Sequence, residues 1–150
     1  MHWNQRINEI SYYRKMNLVK LAVGINNIND LRVRQALRYK KYNQNLHITR
    51  LFPKKHEIIK TKGSMFWVIN GYISARQKII DLQRVEHDDG KNYCHIIFDK
   101  TLIETQVISH RPFQGWRYLR PEKTPRDLLV KESKNNNGKL YAILEELCII

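Results

Sequence analysis

The sequence predicts an α+β domain built on a small, mostly antiparallel sheet, and three observations carry that prediction. Strand-like apolar runs outnumber helical patterns, they follow one another closely enough to pair in sequence, and Asp88-Asp89-Gly90-Lys91 is a hairpin-turn signal between two of them. At 150 residues the chain has the length of one ordinary domain and can bury a core without disulfides or metal. It is 42% apolar and 10% aromatic, which is the composition of a folded chain. Residues 1–15 are expected to form a disordered N-terminal extension ahead of a single α+β domain over residues 16–150. That extension lacks the apolar stretch of a secretory signal, and Met16 offers a second start directly before the first strand-like run.

The elements follow in order. Residues 18–23 (LVKLAV) read as a buried strand, closed by Gly24 and the turn-forming Asn26-Asn27. Asn29 or Asp30 is placed to cap a helix running to about Lys41. Ile28, Leu31, Ala36 and Leu37 lie near helical spacing, and Arg32, Arg34, Arg38, Lys40 and Lys41 fill the remaining surface. Residues 46–52 return to strand character and Pro53 ends it; residues 54–60 form a short amphipathic segment. Residues 65–69 are an aromatic-rich strand, after which Gly71 permits a bulge or a close backbone approach. Residues 72–85 read as one long strand, with a short helix over 75–82 as the competing reading. On the strand, Ile73, Ala75, Gln77, Ile79, Asp81 and Gln83 share one face; Lys78, Ile80, Leu82 and Arg84 share the other. Residues 93–99 and 102–107 are two further strands. Pro112, Pro121 and Pro125 make the next stretch irregular, and residues 140–148 carry a helical pattern. The core is expected to gather Phe66, Trp67, Ile69, Ile79, Leu82, Ile96 and Phe98 inside a partly closed antiparallel barrel, with the 28–41 helix packed outside.

The charge balance narrows function. There are 27 Lys and Arg against 14 Asp and Glu, a formal net charge of +13, and such a field attracts polyanions. Ile, Asn and Lys are abundant, as in A+T-rich coding sequence, which inflates Lys; that bias does not explain 12 Arg. Basic charge is also uneven. Residues 1–62 carry 14 basic and 3 acidic side chains and residues 100–126 carry 6 and 2, around a neutral middle. No apolar run approaches the roughly 18 residues of a membrane span, and two cysteines, Cys94 and Cys148, cannot make a disulfide framework. A cytoplasmic protein with no membrane association is the expectation.

No cofactor or metal is expected. Gly24, Gly63, Gly71, Gly90, Gly115 and Gly138 are isolated, so neither a dinucleotide fingerprint nor a P-loop can be written. His2, His47, His56, His87, His95 and His110 show no metal-ligand spacing. Two clusters do carry chemistry. His47-Ile48-Thr49-Arg50, followed by Pro53, Lys54, Lys55 and His56, puts an imidazole, a hydroxyl and several cations at a strand end, a set suited to phosphate or carboxylate. A polar edge strand with solvated cations has the same residues. Arg111 to Arg120 (RPFQGWRYLR) interleaves three aromatics with three arginines and Gln114. Aromatic faces stack on bases, guanidinium groups grip phosphate, and an amide reads a base edge. An irregular loop pinned by Phe113 and Trp116 is the architectural alternative.

Four segments also carry a family resemblance: LVKLAVGINNINDL (18–31), HITRLFPKK (47–55), GSMFWVINGYISARQKI (63–79) and RPFQGWRYLRPEKTPRDL (111–128). Through them the chain resembles domain-of-unknown-function family 1489, small proteins found mainly in alphaproteobacteria, over residues 17–127. Relatives usually have Lys at Asn70, Gly at Lys62 and Arg at Lys55, so no cation at position 70 is indispensable. The family has no established activity. A basic strand, a short helix and a Gly-punctuated β run further resemble small barrels of the pseudouridine-synthase-and-archaeosine-transglycosylase (PUA) type and the related ASCH domains, which often bind RNA; that is an analogy of fold alone.

Two functions are therefore expected in competition. The first is a basic nucleic-acid-binding module, for RNA rather than DNA, with Arg50, Lys54, Lys55, Arg76, Arg111, Gln114, Trp116, Arg117 and Tyr118 as contacts in one groove. The second is a small enzyme acting on a nucleotide or RNA end. It would use His47 as acid or base, Thr49 or Ser64 as hydroxyl, Arg50, Arg76 and Arg111 as anion clamps, and Asp99 or Asp127 as orienting carboxylate. The second requires His47, Arg50, Arg76 and Arg111 to share one deep pocket.

Overall fold

The computed structural model describes residues 15–129. Strand β1 (Asn17–Leu21) opens the fold and leads through a turn into helix α1 (Ile28–Tyr42). The cap of α1 is Asn27, not Asn29 or Asp30: its side chain accepts the Asp30 backbone N–H at 2.8 Å, which leaves Asp30 in the first turn, where the helix dipole favours an acid. Lys40 and Lys41 sit in the last turn, and Asn43 ends the helix in the left-handed region at φ 56°. Strand β2 (Leu46–Thr49) follows, then helix α2 (His56–Lys62), then strands β3 (Ser64–Ile69), β4 (Tyr72–Glu86), β5 (Asn92–Ser109) and β6 (Trp116–Leu119), with a 3₁₀ turn at Pro121–Lys123.

The six strands form one mixed sheet in the order β2-β5-β4-β3-β1-β6. The α+β class is as expected, but β1 and β3 run parallel while the other pairings are antiparallel. No strand pairing joins β2 to β6, so the sheet is not closed into a barrel. Residues 51–55 nonetheless span from the end of β2 to β6: the Trp116 indole N–H donates to the Leu51 carbonyl at 2.9 Å.

Turn chemistry fixes the hairpins. Asn70 and Gly71 hold φ of 51° and 81°, the backbone of a two-residue turn between Ile69 and its partner Tyr72. Position 70 thus needs a residue that tolerates positive φ, which Asn does. The expected turn at Asp88–Lys91 joins β4 to β5, with Glu86 opposite Asn92. Gly63 links α2 to β3 because nothing larger fits: a Cβ there would stand 2.5 Å from the Met16 carbonyl oxygen and 2.6 Å from that of Ile59.

Several strand limits differ from the sequence expectation, each for a physical reason. β2 stops at Thr49 because Phe52 turns onto the core and Pro53 is fully buried, so the chain leaves β5 at Arg50. The 72–85 run is a strand over its whole length, and the helix alternative is excluded. It does not alternate strictly, however. A bulge between Ile79 and Asp81 inserts one residue, which returns Leu82 to the face of Ala75, Gln77 and Ile79. The two strands expected at 93–99 and 102–107 are one strand, β5, interrupted where Gln77 pairs with Leu102 and Ile79 with Phe98. β6 lies in the stretch expected to be irregular. The helical pattern at 140–148 lies outside the described residues.

The two faces of the sheet bury different clusters. α1 and α2 cover the first face, where Leu18, Leu31, Ile59, Trp67, Ala75, Ile79, Leu82, Ile96 and Phe98 pack together. The second face holds a smaller cluster of Val19, Phe66, Val68, Ile73 and Leu119. All seven expected core residues are buried, but Phe66 belongs to the second cluster. At the centre of the first lies Gln77, wholly buried. Its carbonyl oxygen accepts from the Trp67 indole N–H at 3.3 Å and from the Gln35 amide at 2.7 Å. Its amide donates to the Gln35 carbonyl oxygen and to the Asp99 backbone carbonyl, both at 2.9 Å.

That hub gives a graded stability prediction. Gln77→Ala orphans the buried Trp67 indole N–H, leaves the Asp99 carbonyl with only its bond from Asn45, and should cost about 2–4 kcal/mol in urea unfolding. Gln35→Ala leaves the Trp67 and Asp99 bonds in place and should cost about 1 kcal/mol. Equal losses at the two positions would show that the bonds to Trp67 and Asp99 contribute nothing.

Candidate functional site

β1 carries a lysine in the middle of an apolar strand. Period-two alternation turns Lys20 to the same face as Leu18, beneath the helix layer, and its register places it between Trp67 of β3 and Trp116 of β6. Across from it, Arg38 lies seven residues beyond the buried Leu31 on α1, so it falls on the helix stripe that faces the sheet. His47 of β2 completes the group, with its ring edge-on to Trp67 at 5.7 Å between centroids. Lys20, Arg38 and His47 line a cavity of about 330 Å³ between α1 and the sheet, together with Arg34 and Gln35. Trp67, Phe98, Leu31 and Ile25 give it apolar walls.

The side chains lining this cavity are strongly basic. Among the described residues no carboxylate stands within 4.0 Å of Lys20, Arg34 or Arg38. Arg34 donates to the Val23 carbonyl at 2.5 Å, Arg38 to the Leu46 carbonyl at 3.4 Å, and Lys20 only to the carbonyl of Leu21 at 3.4 Å. Burial pulls the Lys20 ammonium below its usual range, and the Arg38 charge pulls it further. Burial, followed by the charges of Lys20 and Arg38, lowers His47 to about 3, so its ring is neutral at neutral pH. The Arg38 guanidinium sits 3.4 Å from His47 Nδ1. An arginine only donates, which assigns the ring proton to Nε2. That Nε2 is buried and has no hydrogen-bond partner among the described residues.

The two basic-aromatic segments meet beside this cavity. Trp116 and Tyr118 project from β6 on the Lys20 side, with ring centroids 5.0 Å apart. The Trp116 bond to Leu51 is matched by the Lys55 backbone N–H, which donates to the Tyr118 hydroxyl at 3.3 Å. The Lys55 ammonium lies 5.3 Å from the Tyr118 ring centre, and Tyr118 is 37% exposed. Lys54 is exposed on the same segment.

Other expected site residues are distributed elsewhere. Arg117 points to the opposite face of β6, over Phe113 at 5.6 Å, so the interleaved segment divides its aromatics and cations between two faces. Arg111 and Gln114 are exposed in the loop before β6. Arg50 donates to the Asn92 carbonyl at 2.6 Å and covers the Tyr93 ring at 4.8 Å, at the start of β5. Thr49 is half-buried in β2 opposite Cys94. Asp99 works through its backbone: its carbonyl accepts from Gln77 and Asn45, and its carboxylate accepts the Thr101 N–H at 3.2 Å.

Ser64, Arg76 and Asp127 do come together, but on the second face. Arg76 forks the Asp127 carboxylate with two bonds of 2.7 Å and reaches Ser64 Oγ at 3.1 Å. Hydrogen bonding to the Asp127 carboxylate raises the Arg76 pKa, and the Arg76 bonds hold Asp127 below the usual carboxylate range. They border a cavity of about 450 Å³ that Lys15, Lys62, Lys78 and Arg126 also line. The sheet stands between this group and His47, so the imidazole, hydroxyls, arginines and carboxylates expected of an enzyme do not share a pocket. Sequence reasoning missed Lys20 and Arg38. The legible signals were a lysine inside LVKLAV and an arginine in step with Leu31.

The family model described as protein of unknown function (DUF1489) matches residues 18–150, and the chain belongs to that family. No curated protein and no solved structure matches it.

The buried neutral imidazole predicts a pH dependence. With its folded pKa depressed from 6.5 to about 3, His47 has no effect on stability above pH 6.5. As pH falls from there towards 3, the unfolded chain takes up a proton that the fold refuses, and stability is lost at up to about 1.4 kcal/mol per pH unit. The carboxylates of Asp81 and Asp127 are held low and lose their contribution only nearer pH 4, and His95, also lowered by burial, is common to both proteins. Urea unfolding of the His47→Gln variant between about pH 6.5 and 4.5 should therefore show a flatter slope than wild type; parallel slopes would mean His47 is not held neutral.

Proposed function

We propose that this DUF1489-family protein is a cytoplasmic module that binds single-stranded nucleic acid, RNA in particular. The observation that carries the reading is the junction of residues 51–55 with β6. Two aromatic rings stand there beside Lys54 and Lys55, and the half-buried Lys20 lies in register with Trp116. Unpaired bases stack on such rings, and cations alongside them take the phosphates. The net charge of +13 supplies the long-range attraction. A sheet whose two edges are tied by residues 51–55 is also compatible with a partly closed, PUA-like barrel, and that likeness forms part of the proposal. Binding is favoured over turnover because the residues an enzyme would combine are separated by the sheet.

Fluorescence anisotropy with a short unstructured RNA tests this. If about four phosphates are neutralised, affinity should be micromolar near 50 mM salt and about 50-fold weaker near 200 mM. The Lys54→Ala, Lys55→Ala double variant removes two of those contacts, which should reduce the salt effect to about 7-fold. Tyr118→Leu should weaken binding at every salt concentration without changing its salt dependence, since stacking releases no counterions. Absence of binding near 50 mM salt overturns the reading.

A further inference from the structure

We infer that the cavity between α1 and the sheet, bordered by Lys20, Arg34, Arg38 and His47, binds the dianionic phosphate monoester of a single nucleotide, presented as a free mononucleotide or as the phosphorylated end of an RNA chain. The second source deepens the proposed function and rests on it; the first does not.

Charge count favours a monoester. Lys20, Arg34 and Arg38 put three cations around one small space with no carboxylate among the described residues to offset them. Arg38 and Lys20 are half-buried and repel each other, an arrangement that costs free energy and persists where a ligand repays it. A phosphodiester or carboxylate brings one negative charge; a terminal phosphate brings close to two, with three acceptor oxygens. Those oxygens match the donors present, the Lys20 ammonium and the Arg38 and Arg34 guanidinium groups, with the neutral His47 ring lining the same space.

Size and walls favour a nucleotide. About 330 Å³ is near the low end of ligand pockets, roughly 300–1,000 Å³, which admits one nucleotide unit and not a stretch of chain. Trp67 and Phe98 offer aromatic surface for a base. Gln35 keeps amide capacity beyond its paired bonds to Gln77, and so can meet a base edge. The cavity lies beside the Trp116–Tyr118 platform through Lys20, so a chain stacked on β6 can deliver its end there.

Adenosine monophosphate, adenosine and inorganic phosphate, titrated calorimetrically into the whole protein, test the site, alongside one RNA sequence with and without a terminal phosphate at either end. The monophosphate should bind at least about tenfold more tightly than adenosine, as a charge-assisted contact requires, and inorganic phosphate should compete with it. Lys20→Gln and Arg38→Gln should abolish that preference. Arg34→Gln, on an exposed residue that leaves the fold intact, should reduce it several-fold, and the His47 Nε2 resonance in ¹⁵N NMR should shift on phosphate addition. A preference for phosphorylated RNA, with the monophosphate as competitor, identifies the chain end; monophosphate binding with no such preference identifies the free nucleotide. If RNA fails to bind but the monophosphate does so in an Arg34-dependent way, the polymer reading falls and the pocket stands. If RNA binds with no effect of its terminal phosphate, and neither monophosphate nor phosphate binds or moves the His47 resonance, this inference is overturned and the RNA reading survives.

Discussion

Everything on the helix-covered face depends on one buried amide. Gln77 sits on the central strand β4 with no exposure, and its four hydrogen bonds reach α1, β3 and the interruption in β5. A glutamine in a dry core is costly unless every polar atom is matched, so the partners must be held in place. The Trp67 indole is fixed by one of these bonds, α1 is docked through Gln35 by two, and the β5 backbone is held at Asp99 by another. Trp67 in turn forms a wall of the cavity and backs the His47 ring. The geometry of the cationic cavity is therefore set one layer away, by a residue that does not line it.

Basic side chains meet two different fates in this structure, and Arg76 and the Lys20–Arg38 pair show them on opposite faces of the sheet. On the second face, Arg76 is neutralised by a bidentate carboxylate, and the pair fastens the C-terminal segment of the described chain across β4 and β5. The bonds from Gln106 to the Arg126 carbonyl and from Leu128 to the Glu104 carbonyl continue that attachment. The Arg76 charge is structural. On the first face, Lys20 and Arg38 gain only long carbonyl contacts; burial and the Arg38 charge lower the Lys20 ammonium, and burial with both charges lowers His47. Such a group does not assist folding, because each cation is partly desolvated and meets like charge. The contrast separates a cation that holds the fold from one available to a ligand.

Much of the fold was legible because local signals agreed with the final structure. The strand expected at 65–69 follows from its aromatic-rich apolar run, the long run from 72 from its partial alternation, and the Asp88–Lys91 turn from turn chemistry. What was not legible depended on distant partners. No local feature ends β2 at Thr49; the cause is that Phe52 and Pro53 are buried while Leu51 pairs with Trp116 of β6. β6 itself is four residues long among prolines, and only its place beside β1 makes it a strand. Leu82 changes face through a bulge that no periodicity announces. Of the candidate site, His47, Lys55, Trp116 and Tyr118 were visible as clusters. Arg38 was assigned to the helix surface because charge on a helix is ordinarily solvated, and Lys20 passed without comment inside a strand read as buried.

That last misassignment has a physical lesson. A cation in step with apolar neighbours is turned inward by the same periodicity that buries them, and its charge must then be answered. Arg76 is answered by Asp127, fifty-one residues away in sequence. Lys20 and Arg38 have no such answer among the described residues, although the chain places Asp30, Glu57 and Asp81 on neighbouring elements. Those acids are engaged elsewhere, Asp81 with Lys60, Glu57 beside His56, and Asp30 in the first turn of α1. Among the described residues these carboxylates are thus kept off the cavity, and the neutral His47 lines it beside the cations. Cations that meet no carboxylate among the described residues leave a positive field in the cavity, and such a field attracts anions.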